Sequence, residues 1–145
     1  LSVTPIRRLT TWNPIIRFRR LLGLFSFFYG TLHLSTWLVF DKFFSIPDML
    51  AVVLKRPYIT MGMATYLMLL PLALTSTQGM IRRLGGRRWN RLHRLAYVAA
   101  ITAVTHFWWL VKSDVREPQR WAVAVAVLLG LRLWWQYQRA SIRMA

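Results

Sequence analysis

The sequence predicts an all-α integral membrane protein, a helical bundle whose chain crosses the bilayer four times. Three observations carry that prediction. The 145 residues are 56% hydrophobic, yet they include 20 Lys+Arg against 4 Asp+Glu. The arginines cluster between apolar blocks of lipid-spanning length rather than spreading along the chain. The four acids, Asp41, Asp48, Asp114 and Glu117, all fall in alternate gaps between those blocks.

A bilayer core takes about 20 apolar residues as a helix. The first block, about 21–40, runs from Leu21 to Phe40 between Arg19-Arg20 and Asp41-Lys42. The second, about 57–76, opens at Pro57, where a missing N–H is harmless in the first helical turn, and closes near Thr77-Gln78-Gly79. The third, about 92–111, follows Gly85-Gly86 and the basic run Arg87 to Arg94. The fourth, about 120–137, follows Glu117-Pro118 and ends in Trp134-Trp135-Gln136-Tyr137, an interfacial aromatic belt. Trp108 and Trp109 read as anchors of the same kind. Residues 1–145 form a single domain. Ahead of the first block, Leu1-Ser-Val-Thr4 resembles the tail of an apolar helix begun upstream, and no signal-peptide pattern precedes it, so the natural N-terminus is expected to extend further.

Orientation follows from the gaps. Arg7, Arg8, Arg17, Arg19 and Arg20 precede the first block, and Arg82, Arg83, Arg87, Arg88, Arg91 and Arg94 separate the second from the third, with no acid in either stretch. The positive-inside rule puts these segments and the C-terminus in the cytoplasm and turns Asp41–Arg56 and Lys112–Arg120 outward. A nucleic-acid partner is excluded, because the basic residues interleave with lipid-length helices; the partner of such a surface is membrane lipid. With no cysteine there is no disulfide framework, zinc–thiolate site, iron–sulfur cluster or thiol nucleophile. Four acids leave little material for carboxylate-pair catalysis.

An internal repeat singles out two of the three histidines. Leu1-Ser-Val-Thr4 resembles Leu72-Ala-Leu-Thr75; each precedes an arginine-rich stretch, then Arg20-Leu21 or Arg94-Leu95 entering an outward-running span, then Thr31-Leu32-His33 or Val104-Thr105-His106. The first and third spans therefore run parallel. At a rise of about 1.5 Å per residue, His33 and His106 both lie about 18–20 Å from the cytoplasmic interface, in the outer half of the core. Two neutral imidazoles from facing helices at one depth are what an iron porphyrin needs for bis-axial ligation, with the apolar, aromatic lining to hold the macrocycle. His33 and His106 are thus the candidate haem ligands, against the alternative of buried histidines satisfied by Ser, Thr or a carbonyl. His93 would lie about 20 Å below His106 on one helix and about 140° around it, at the cytoplasmic edge. It has three readings: a third ligand completed from upstream, a hydrogen-bond partner for a quinone or flavin, or an interfacial histidine. At the same end, Thr75, Ser76, Thr77, Gln78 and Arg88 are candidates to bind a quinone carbonyl or flavin phosphate, or else simply to finish a helix.

Several motifs together resemble one family. Arg19-Arg20-Leu21-Leu22-Gly23-Leu24, Thr31-Leu32-His33-Leu34, Arg56-Pro57-Tyr58-Ile59-Thr60-Met61-Gly62, Leu74-Thr75-Ser76-Thr77-Gln78, Leu84-Gly85 with Arg88-Trp89, Leu92-His93 and His106 are similar to the bacterial MsrQ (YedZ) family of the ferric-reductase-like transmembrane group, over about residues 1–138. The resemblance implies a six-helix haem b protein of the bacterial inner membrane. It also implies transfer of electrons from the quinone pool to a periplasmic molybdopterin enzyme, MsrP, that repairs methionine sulfoxide, with FMN associated. The family's histidines map onto His33, His93 and His106. No G-x-G-x-x-G follows a strand here, so there is no nicotinamide module, and a quinol is the economical donor. The competing readings are a quinol-oxidising cytochrome b serving another periplasmic acceptor, and a haem-free membrane assembly subunit. A transporter would favour acids or broken helices at mid-membrane, which the spans lack.

Overall fold

The computed structural model describes residues 2–41 and 45–144; the described residues form helices joined by short turns, without a strand among them. Lys42, expected to help close the first span, lies outside the described residues. Helix α1 (Val3–Thr10) ends at Thr11, whose φ of 56° turns the chain. A 3-10 turn at Asn13–Arg17 leads into α2 (Phe18–Thr36), which continues as a π-helical turn over Trp37–Asp41. Then come α3 (Ile46–Lys55), α4 (Pro57–Leu74), α5 (Gln78–Leu92), α6 (Leu95–Leu110) and α7 (Arg116–Met144).

The apolar runs behave as their composition requires. The continuous helical stretch Asn13–Phe40, 28 residues, and α4, 18 residues, are long and apolar enough to cross a membrane. Helix α6 is apolar but only 16 residues long, about 24 Å of rise. The fourth expected span lies inside the 29-residue α7, with Arg132 among its apolar residues. Buried hydrophobic residues are few, namely Val3, Leu72 and Ala99, while Leu21, Phe25, Phe28 and Leu32 along one side of α2 are half exposed. A water-soluble fold would show the opposite balance; here the outward surface matches hydrocarbon.

Helix α4 is the central support, with α2 and α6 both packed on it and α7 on α6. Two cross-helix bonds pin the arrangement. Thr65 and Thr102 share a hydroxyl–hydroxyl bond of 2.7 Å between α4 and α6, and Thr31 meets the Tyr66 hydroxyl at 3.4 Å between α2 and α4. Phe27 stacks on Tyr66 at a centroid distance of 5.7 Å.

The structure departs from the sequence reading in the connections. The segment 41–56, expected to face outward, contains helix α3, with Pro47 in its first turn, Asp48 there to favour the positive end and Lys55 in the last turn to favour the negative one. The arginine-rich loop is itself a helix, α5. Thr77 caps it, accepting from the Met80 N–H at 3.3 Å; Ile81, Leu84, Trp89 and Leu92 are half-buried, while Arg82, Arg83, Arg87, Arg88 and Arg91 are exposed. Gly85 breaks its regularity, with φ 71° and ψ 149°, a conformation open essentially to glycine alone. Finally, His93 does not share a helix with His106. Helix α5 stops at Leu92, His93 and Arg94 form a turn, and α6 starts afresh at Leu95.

Candidate haem site

The two repeat-matched histidines come together. His33, one turn before the end of α2, and His106, one turn before the end of α6, have ring centroids 6.2 Å apart, with their planes inclined at 68°. His106 is half-buried and its Nδ1 lies 2.6 Å from the Tyr58 carbonyl oxygen in the first turn of α4. A carbonyl only accepts, so Nδ1 carries the proton and Nε2 is the lone-pair nitrogen. That is the tautomer of a metal ligand, whose second nitrogen donates to a backbone carbonyl. The Tyr58 ring lies 6.4 Å from that of His106, tilted by 35°.

The separation decides what fits. Two metal–imidazole bonds of about 2 Å, plus half a ring at each end, span about 6 Å between centroids. Among the described residues no group of three or more His, Cys, Asp or Glu is placed to hold a metal ion. His33 and His106 would supply two imidazole ligands to a metal held between them, and a porphyrin is a group that brings its remaining donors with it.

Where α3 and α6 end and α4 begins lies a hollow of about 390 Å³ lined by Lys55, Arg56, Pro57, Tyr58, Trp109, Leu110 and Lys112. Arg56 Nη1 donates to the Tyr58 hydroxyl at 2.9 Å. Three cations thus border the residue whose carbonyl holds His106.

His93 belongs to a separate cluster at the other end of α4. Its ring stacks on Trp89, with centroids 3.8 Å apart and planes 24° apart, and its Nε2 lies 3.2 Å from Thr75 Oγ1. Thr75 is buried, and its hydroxyl donates to the Pro71 carbonyl at 2.6 Å. With that hydrogen committed, Oγ1 accepts from His93 Nε2–H, leaving Nδ1 as an acceptor. Trp89 Nε1 donates to the Thr75 carbonyl at 2.8 Å, tying α5 to the end of α4. Burial, with a smaller contribution from the Arg19 guanidinium, holds the His93 imidazole below its ordinary pKa and therefore neutral at pH 7.

The remaining members of the polar set are dispersed. Ser76 donates to the Leu72 carbonyl at 2.6 Å, Thr77 caps α5, and Gln78 and Arg88 are exposed on α5. Of the five, Thr75 alone meets His93. Sequence reasoning missed Gly62 as a site neighbour: a Cβ there would lie 2.8 Å from His106 Nδ1.

Comparison with known proteins bears on these two clusters. The family described as ferric reductase like transmembrane component matches residues 1–104. The chain is 51% identical, over 143 residues, to the protein-methionine-sulfoxide reductase heme-binding subunit MsrQ of Herminiimonas arsenicoxydans, covering 97% of this chain and 66% of that protein. It is 51% identical to the protein of that name from Ralstonia nicotianae, with 97% and 65% coverage, and 54% identical to the one from Xanthomonas axonopodis pv. citri, with 92% and 61%. The chain thus spans about two thirds of the length of these relatives. No solved structure matches it.

Proposed function

The chain belongs to the ferric-reductase-like transmembrane family and, within it, to the MsrQ family, and on that footing we propose that it is a b-type cytochrome subunit of the bacterial inner membrane. It carries electrons from the quinone pool to a periplasmic molybdopterin reductase of the MsrP kind, which repairs methionine sulfoxide. The observation that carries the reading is the His33–His106 pair, with centroids 6.2 Å apart and the Nδ1 of His106 held by a backbone carbonyl.

Haem b, held by His33 and His106, would supply reversible one-electron transfer. The chain's own residues do the rest. His106 donates Nδ1–H to Tyr58 and offers Nε2, while His33 offers the second nitrogen from α2. Lys55, Arg56 and Lys112 give the outward end the charge to neutralise carboxylates, whether propionates or those of a docked partner. Four crossings, with the arginine segments cytoplasmic, put this end on the periplasmic side, close to that acceptor. Thr75, with Ser76, Thr77, Gln78 and Arg88 around it, forms the proposed quinone or FMN end. There a neutral His93 presents an acceptor nitrogen, suited to take a proton from a quinol hydroxyl.

A reduced-minus-oxidised absorbance spectrum of the detergent-purified full-length protein tests the reading. We expect a b-type signal that is lost in His33→Ala and His106→Ala and kept in His93→Ala. Loss in His93→Ala alone moves the haem to the α5–α6 turn. A wild type without haem overturns the proposal.

A further inference from the structure

Gly62 lies one turn after Tyr58 on α4, so the Tyr58 carbonyl and the bare Cα of Gly62 share one face of the helix. The His106 ring rests on that face. A Cβ at position 62 would lie 2.8 Å from Nδ1, 2.9 Å from Cε1 and 3.3 Å from Cγ, closer than such atoms approach. The ring cannot yield cheaply, because its Nδ1 is tied to the Tyr58 oxygen at 2.6 Å. By contrast, a Cβ on Gly130 in α7 would meet nothing within 4 Å. Gly62 has ordinary helical φ, so the demand here is for space rather than for backbone freedom.

We propose that Gly62 is a positioning residue for the His106 ligand: its missing side chain seats the imidazole on α4 so that Nδ1–H reaches the Tyr58 carbonyl and Nε2 becomes the ligating nitrogen. The functional half of this inference rests on the haem reading above. The Tyr58 oxygen has two lone pairs, so it serves the helix ladder and the imidazole together. Donation from Nδ1–H enriches the ring in electron density and favours the oxidised, more positive metal. A methyl group at position 62 pushes the ring off the seat, lengthens that bond and misaligns Nε2.

The test uses the full-length protein in detergent, as wild type, as Gly62→Ala, as Gly130→Ala, and carrying Nδ1-methylhistidine at position 106. The last removes the donor while leaving Gly62 in place, and so covers the case in which Gly62→Ala does not fold. Expected are a haem content reduced about 10–100-fold in Gly62→Ala, an upward shift of the midpoint potential in whatever haem remains, and the same upward shift for the methylated ligand. Gly130→Ala stays at wild-type values. The seat is also read without haem. In haem-free protein labelled with nitrogen-15 histidine, His106 shows the Nδ1–H tautomer in the wild type and loses it in Gly62→Ala. Wild-type haem content and potential in Gly62→Ala, or an Nε2–H tautomer for wild-type His106, overturns the proposal. Absence of haem from the wild type sinks the haem reading instead, and the tautomer still decides the seat.

Discussion

An imidazole in or beside hydrocarbon is settled by what its two nitrogens meet, and the histidines of this chain differ in that respect. His106 has its Nδ1 taken by a carbonyl and His93 has its Nε2 taken by a buried threonine. The His93 contact carries a pH dependence. Its pKa is lowered in the folded protein, so below about pH 6.5 the unfolded chain binds more protons there than the folded one, and stability falls as the pH drops. Acidifying from about pH 7.5 to about 5.5 should lower the thermal unfolding midpoint more in the wild type than in His93→Gln; parallel curves would refute the assignment. The His33–His106 pair was legible because the repeat placed both at one depth. Gly62 was not, since a spacing rule registers side chains and has no sign for a required vacancy. The Thr75–His93–Trp89 cluster was legible only in part: the sequence put Thr75 and His93 at one end, but not their contact. Its members come from α4, the α5–α6 turn and α5, and only packing brings them together.

Among the elements, the apolar runs announced α2, α4, α6 and the body of α7, because hydropathy alone decides which segments stay in lipid. The connections were harder. Two adjacent glycines and five arginines make α5 look like a loop. The helix nevertheless forms, because Thr77 caps it and Ile81, Leu84, Trp89 and Leu92 give it one apolar side. The break falls at His93-Arg94, two polar residues between Leu92 and the apolar run Leu95–Leu110, which the expected span of about 92–111 ran straight through. Gly85 and Gly86 test whether the kink is part of the design. Gly85→Ala forces a side chain into φ 71° and should destabilise α5 by about 1–3 kcal/mol. Gly86→Ala, open on all sides, should be neutral or slightly stabilising, since alanine is the better helix former. Amide hydrogen exchange over residues 78–92 separates the two. Equal protection in both variants would show that the kink is incidental.

For the molecule as a whole, the proposed four-crossing topology has a direct assay. These 145 residues hold no cysteine, so a single thiol introduced among them has no competitor within this stretch. Ser113→Cys, exposed between α6 and α7, should react with a membrane-impermeant maleimide on intact spheroplasts, and Asn90→Cys, exposed on α5, only after lysis. The reverse pattern would invert the protein and separate the histidine pair from a periplasmic acceptor. The shared support offered by α4 has one more consequence, for biogenesis. The two imidazoles arrive on the first and last of three helices that insert in order, and both take their bearings from the one between. A nascent chain halted after α4 carries His33 without His106, so no translocation intermediate presents the finished pair. If the pair holds haem as proposed, cofactor capture is a late event, gated by completed insertion.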